Sequence, residues 1–179
     1  MRIFKGHIFF SFLFALFLLT SCEAPFLPVA TYTAIPGKTN LPSSDTVMTD
    51  SISGIKFSRL TKVGVGGIAV KHEFKQEQQN KPTWVVFSGR LRSNYVHSNS
   101  SITISGSDPT GQNILWKAVF LKYHLVELNR WMPFRDSVLI PPSYDNKLFQ
   151  TIYVFTYMGG KPGENFDLDT LRVLIKQQL

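Results

Sequence analysis

Short β-rich runs separated by turn residues fill the chain from Ser51 to Leu179, and this pattern constrains the fold more than any other feature. The runs are rich in β-branched and aromatic residues, and the segments between them are rich in Gly, Pro, Asn, Asp and Ser. No segment after residue 22 shows a convincing helical period with caps. Strands at near-regular spacing are typical of sandwiches and barrels. The sequence therefore predicts an all-β, antiparallel β-sandwich, a jelly roll of about eight strands.

The eight predicted strands are Ile55–Lys62, Gly67–Gln76, Trp84–Ser93, Ser101–Gly106, Ile114–Tyr123, Trp131–Leu139, Phe149–Tyr157 and Phe166–Lys176. The segment Thr151–Tyr157 is apolar on both faces, which predicts a central strand. In the last run the apolar residues change phase. Phe166 and Leu168 are even-numbered, whereas Leu171 and the apolar residues after it are odd-numbered. A bulge near Asp169-Thr170 would reconcile them, because one extra residue reverses the facing of a strand.

The N-terminal segment has the features of a secretion signal. Arg2 and Lys5 precede Ile8–Leu19, a run of twelve residues without a charge. As a helix this run would reach roughly 18 Å, whereas the hydrocarbon core of a bilayer is about 30 Å thick. The run is therefore too short for a transmembrane helix and fits the core of a signal peptide. A buried N-terminal helix is the alternative.

The next residues, Leu19-Thr20-Ser21-Cys22, resemble the lipobox of bacterial lipoproteins. The resemblance implies that residues 1–21 are removed and that Cys22, the one cysteine of the chain, carries a thioether-linked diacylglycerol and an acylated amine. Several acyl chains anchor a protein stably, whereas one chain is marginal. We therefore expect a lipid-anchored protein of the cell envelope, at the outer membrane of a Gram-negative bacterium. An ordinary signal peptide that leaves a free thiol is the alternative.

Residues 22–50 join the anchor to the first predicted strand. They are rich in Pro, Ser and Thr, and four prolines argue against a helix or a central strand. We expect a flexible tether with an end-to-end distance on the order of 30 Å. One alternative is that Val29–Thr33, which has β character, packs as an edge strand. The predicted β-sandwich domain is residues 51–179.

Composition and motif spacing disfavour several classes of function. The net charge of +7 is spread along the chain without a block of five like charges, so no nucleic-acid partner is expected. One cysteine excludes a disulfide framework, the histidines lack metal-ligand spacing, and no GxSxG motif occurs. No pattern brings together the best-placed acids, Glu73, Glu127 and Asp136. We therefore expect a protein that is not an enzyme, with no catalytic residues; a hydrolase is the least favoured reading.

Aromatic residues make up 13% of the chain, and those that lie on the surface favour glycan binding. The C–H faces of sugar rings stack on aromatic rings, because an apolar patch then meets a π surface. Arginines beside aromatic residues would also suit an acidic glycan. Trp131, in the segment RWMPF, is interpreted as a core residue. The predicted ligand-binding residues are Tyr95, Tyr144, Trp84, Trp116, Arg90 and Arg92. For Trp84 and Trp116, a position in the core is the favoured alternative.

The chain from Trp84 to Lys176 resembles jelly-roll modules, similar to carbohydrate-binding modules, of secreted and envelope proteins. The resemblance rests on the segments VVFSGRLR, ILWKAVFL, RWMPFRDSVLIPP, TIYVFTYMGG and FDLDTLRVLI, in this order. It implies binding of a glycan or envelope polysaccharide and, as in some such modules, a structural calcium near the last strand. Asp167 and Asp169 are the candidate calcium ligands, although calcium takes six to eight oxygens. The favoured alternative is that one of them faces solvent and the other accepts hydrogen bonds from loop amides. The alternative function is a structural or accessory subunit that docks onto an envelope protein assembly.

Overall fold

The computed structural model describes residues 25–38 and 45–178. The signal peptide and Cys22 lie outside these residues, so the lipid anchor stays a prediction. Across the described ranges, no helix is long and apolar enough to cross a membrane. The strands in these ranges are β1 (Phe26–Ala34), β2 (Thr46–Thr49), β3 (Lys56–Leu60), β4 (Gly66–Glu73), β5 (Thr83–Ser93), β6 (Ser101–Ser107), β7 (Asn113–Phe120), β8 (Met132–Ile140), β9 (Ser143–Tyr144), β10 (Lys147–Leu148), β11 (Thr151–Tyr157), β12 (Phe166–Leu168) and β13 (Leu171–Gln178).

The strands form two sheets and one short ribbon. In the first sheet, β5 lies between β8 on one side and both β12 and β13 on the other. β1 pairs with β13, β3 pairs with β12, and β2 pairs with β3, always antiparallel. The second sheet has the order β4-β11-β6-β7, and β9 with β10 forms the ribbon.

The strand order identifies the sandwich as a jelly roll. We number the eight predicted strands one to eight in chain order. Their spatial order is then one, eight, three, six in the first sheet and two, seven, four, five in the second, which is the order of a jelly roll. The predicted fold class is therefore confirmed. The described residues hold thirteen strands rather than about eight. The difference arises because the N-terminal segment adds β1 and β2, the ribbon adds β9 and β10, and the last run divides in two.

The hydrophobic core lies between the two sheets. Val85 and Phe87 of β5 belong to one cluster with Ile104 of β6 and with Ile152 and Val154 of β11, and each of these side chains is exposed by 1% or less. Burial of one such side chain contributes about 1.5–3 kcal/mol. Because side chains alternate along a strand, the residues between these core positions lie on the two outer surfaces of the sandwich.

β12 and β13 behave as one strand that is interrupted by a bulge. Leu168 pairs with Leu91 of β5. Four residues later Arg172 pairs with Ser88, which is only three residues back along β5, so one extra residue lies between the two pairs. The bulge predicted from the change of phase is confirmed. Gly89 lies against it, and a Cβ atom at this position would collide with a carbonyl oxygen of the bulge.

The prediction of a flexible tether over residues 22–50 is wrong for residues 26–34 and 46–49, which form β1 and β2. β1 covers the free edge of β13, and the alternative of an edge strand around Val29–Thr33 is the one that holds. The register shifts between Pro28 and Ala30, where proline cannot donate a ladder hydrogen bond. Ala30 and Tyr32 pack against the core, so β1 buries apolar surface that its sequence pattern does not predict.

Candidate functional site

Aromatic side chains gather on the outer surface of the second sheet. β11 alternates between the core and this surface, so its aromatic residues lie outward while its isoleucine and valine lie in the core. β7, at the edge of the same sheet, adds two more aromatic residues. We call this set the aromatic face, and its members are Tyr153, Phe155, Tyr157, Trp116 and Phe120.

Trp116 is the most exposed member of the aromatic face, with 54% of its surface accessible. Its ring lies 5.6 Å from that of Phe155 and 5.8 Å from that of Tyr157, both in edge-to-face geometry. Such pairs hold a ring in place without hiding its outer surface. The side chain is therefore fixed in orientation and open to a ligand.

Small polar side chains of β6 lie beneath the rings of the aromatic face, and those of Ser101 and Thr103 are buried. β6 separates β11 from β7 and places Ser105 beside Tyr153, and Thr103 beside Phe155. The hydroxyls of Ser101 and Thr103 are 2.9 Å apart and share a hydrogen bond beneath the rings. The small side chains of β6 thus let the Trp116 ring of β7 meet the Phe155 and Tyr157 rings of β11 above them.

Polar groups border the aromatic face on both sides. On the β4 side, Lys71 is the cross-strand partner of Tyr153, and its Nζ lies 2.5 Å from the Glu73 carboxylate. The hydrogen bond to Lys71 lowers the pKa of Glu73, so the pair carries opposite charges at neutral pH. On the other side, the Lys122 Nζ lies 5.2 Å from the centre of the Phe120 ring. The surface therefore offers an apolar centre and hydrogen-bonding borders.

The structure places the predicted aromatic ligand residues apart from one another. Trp116 lies on the aromatic face, whereas Trp84 lies on the outer surface of the first sheet, 6.3 Å from Phe26 of β1. Tyr95 follows the C-terminal end of β5, and Tyr144 lies in the ribbon that begins near the other end, where Ile140 pairs with Thr83. Four dispersed positions do not make one site.

The sequence pattern does not identify the aromatic residues of β11 as ligand candidates, because the segment TIYVFTY is apolar on both faces and predicts a strand buried on both sides. β11 is central in its sheet, as predicted, between β4 and β6. Its Tyr153, Phe155 and Tyr157 are nevertheless only half-buried, because no other layer within the described part of the chain covers the outer surface. The signal in the sequence is the spacing of these three aromatic residues, because alternate positions of a strand lie on the same face.

Asp167 and Asp169 form ion pairs with arginines instead of a calcium site. Asp167 accepts hydrogen bonds from Arg59 at 2.6 and 2.7 Å and from Arg92 at 3.0 Å. Asp169 accepts from the side chain of Arg90 at 2.6 Å. Nowhere in the described ranges do three potential metal-ligating acids, histidines or cysteines lie together. The calcium expectation is corrected, because guanidinium groups already occupy and neutralise both carboxylates.

Arg92 is held by the first sheet rather than offered to a ligand. Its guanidinium lies 4.6 Å from the centre of the Trp131 ring and 4.9 Å from that of Phe57. It also pairs with Asp50 at 3.2 Å. The pKa of Asp50 is lowered to about 2, first by the backbone N–H and hydroxyl of Ser53. Trp131 is half-buried in this outer cluster rather than in the core, which corrects its interpretation as a core residue.

The three acids considered for hydrolysis lie in separate pairs. Glu73 pairs with Lys71, Glu127 pairs with Arg130 at 2.7 Å, and Asp136 lies 3.2 Å from the Nε2 of His124. A glycosidase needs two carboxylates that face each other across a bond. These three belong to different elements and have different partners.

No family model and no curated protein matches this sequence. Among solved structures, a family 6 carbohydrate-binding module from Clostridium cellulolyticum in complex with xylose matches at 16% identity and a TM-score of 0.45, over 78% of this chain and 94% of that one. The xylan-binding module CBM15 matches at 10% identity and a TM-score of 0.44, over 87% and 99%. The VP2 subviral particle of infectious bursal disease virus matches at 13% identity and a TM-score of 0.45, over 83% and 32%. The likeness to both kinds of protein concerns the fold alone.

Proposed function

We propose that the protein is a lipid-anchored, non-enzymatic glycan-binding protein of the cell envelope, and that the aromatic face contacts the sugar rings. The observation that carries this proposal is the aromatic face, where the rings of β7 and β11 meet in edge-to-face contact. Trp116 is the most exposed of these rings, and the Lys71–Glu73 pair and Lys122 supply polar groups at the borders. A sugar ring needs both kinds of contact, since it has apolar C–H faces and hydroxyl edges.

The charges at the aromatic face favour a neutral glycan. Lys71 is compensated by Glu73, and Lys122 donates a hydrogen bond to the side-chain oxygen of Asn99 at 3.3 Å. The five members of the aromatic face contribute no carboxylate, ammonium or guanidinium group. A neutral polysaccharide therefore meets only aromatic rings at the centre of the aromatic face, where desolvation of a charge would be costly.

A second candidate function is docking onto an envelope protein assembly. Exposed apolar side chains line the outer edge strands β1 and β2, and they include Leu27, Val29, Val47 and Met48. Edge strands with unpaired backbone groups are common sites for strand addition by a partner. This surface is separate from the aromatic face, so the two functions can be tested independently.

The proposal is tested by glycan binding to the detergent-solubilised full chain. We expect calorimetric titration to detect one of xylan, glucan or mannan, and Trp116→Ala to weaken that binding about tenfold, equivalent to about 1.4 kcal/mol. The variant should keep the melting temperature of the native chain, because the removed ring is more than half exposed. Tyr144→Ala is the matched control, since it removes a similarly exposed aromatic residue away from the aromatic face. Equal affinities of the native chain and the Trp116 variant would contradict the proposal, as would the absence of binding to every neutral polysaccharide.

A further inference from the structure

A cavity of about 630 Å³ opens on the outer surface of the first sheet, on the opposite side of the sandwich from the aromatic face. Its volume lies within the range of sites for small molecules and single sugar residues. β5, β8 and the bulge between β12 and β13 surround it. The residues that matter for its chemistry are Ser88, Arg90, Arg135, Thr170 and Arg172.

Two arginines contribute uncompensated positive charge to the cavity. Arg135 and Arg172 are the cross-strand partners of Ser88, one on each side of β5. Both side chains are exposed, and within the described residues neither forms an ion pair with a carboxylate. Arg90 also lines the cavity, but Asp169 neutralises it. The cavity therefore carries two positive charges that no acid of the described chain balances.

Hydroxyl groups and apolar walls accompany these charges. Ser88 and Thr170 line the cavity, and no side-chain hydrogen bond within the described residues engages their hydroxyls. Ile55 and Pro133 supply apolar surface at the same opening. The ion pair with Asp169 fixes the orientation of the Arg90 guanidinium, which leaves less side-chain entropy to lose on binding. The cavity is thus prepared for a ligand that combines an anion, hydroxyl groups and C–H surface.

We propose that this cavity binds the carboxylate of a uronic acid residue in an acidic glycan. A guanidinium group forms two parallel hydrogen bonds with a carboxylate, which gives both affinity and orientation. Ser88 and Thr170 then face the sugar hydroxyls, and Pro133 faces the ring. The inference goes beyond the proposed function, because it concerns a second site, on another sheet and for a charged sugar.

The test compares galacturonate trisaccharide with the neutral galactose trisaccharide on the detergent-solubilised full chain. We expect the charged trisaccharide to bind and the double variant Arg135→Gln with Arg172→Gln to lose at least about tenfold in affinity. The affinity of the native chain should also fall as salt is added, because the arginines are exposed. Lys176→Gln is the control for Arg172→Gln alone. Each removes one positive charge from the outer surface of β13, but Lys176, the partner of Trp84, lies outside the cavity.

Three results would overturn the assignment. The first is equal affinity of the native chain and the double variant at an unchanged melting temperature. The second is an equal loss of affinity in the Lys176→Gln and Arg172→Gln variants. The third is binding of inorganic phosphate, or of phosphatidylglycerol vesicles, as tight as binding of the galacturonate. Failure of the Trp116 test alone would overturn the proposed function at the aromatic face and leave this second site standing.

Discussion

Asp167 illustrates how single residues hold the first sheet together. It is fully buried and accepts hydrogen bonds from Arg59 of β3 and Arg92 of β5, so one carboxylate joins the strands on both sides of β12. The hydrogen bond to Asp167 also raises the pKa of Arg59. A buried carboxylate of this kind is stable only while its partners remain.

We predict that Asp167→Ala lowers the free energy of unfolding by about 3 kcal/mol, because Arg59 loses its carboxylate partner and Arg92 keeps only Asp50. The value lies at the low end for a buried pair, since the Arg59 and Arg92 side chains keep 26% and 18% exposure. Urea denaturation monitored by tryptophan fluorescence measures the change. The control is Glu127→Ala, which breaks an exposed pair and should change stability by less than about 1 kcal/mol. If added calcium raised the melting temperature of the native chain, the ion-pair assignment would be wrong.

At the scale of elements, β1 has two roles: it forms an edge strand of the first sheet, and it contacts the second sheet. It pairs with β13 from Phe26 to Ala34. Its Tyr32 hydroxyl lies 2.8 Å from the Nδ1 of His72 on β4, in the second sheet. Burial lowers the pKa of His72, so this histidine is neutral at physiological pH and can share the hydrogen bond. The strand thus joins an edge of each sheet.

We predict that a chain beginning at Asp45, which lacks β1, unfolds with a free energy lower by about 2 kcal/mol or more. The loss combines the burial of Ala30, Tyr32 and Ala34 with the ladder to β13. Chemical denaturation measures it, and light scattering should show association through the uncovered edge. A chain beginning at Pro25 is the control and should match the full-length domain. Equal stability of the two shortened chains would show that β1 is dispensable.

At the scale of the whole molecule, β1 changes the predicted relation between the anchor and the domain. Only Glu23, Ala24 and Pro25 separate Cys22 from the first residue of β1. A chain of this length spans at most about 14 Å. If Cys22 is lipidated, the end of the sandwich that contains Phe26 and its partner Gln178 must lie close to the membrane. Both proposed glycan sites then lie on the sides of the sandwich.

The lipid anchor itself is tested by Cys22→Ser. We expect the native protein to sediment with membranes and to require detergent for release, because several acyl chains hold it. The serine variant should lose the mass of the lipid and leave the membrane fraction. Ser11→Ala, within the apolar run, changes neither charge nor length and serves as the control. A native protein that is already soluble, with a free thiol, would favour the ordinary signal peptide.

Local patterns in the sequence were enough to determine the fold class, all eight predicted runs and the bulge beside Asp169, because alternation and turn residues act over a few positions. The lipobox resemblance is equally local. Tertiary structure alone decided which outer surface carries the aromatic face, since Trp116 and Phe155 meet only through the register of β6. It also decided that Asp167 faces arginines and that Arg135 and Arg172 lie on either side of Ser88. These contacts join residues far apart in the chain. Their pairing depends on strand order and register, which local sequence patterns do not specify.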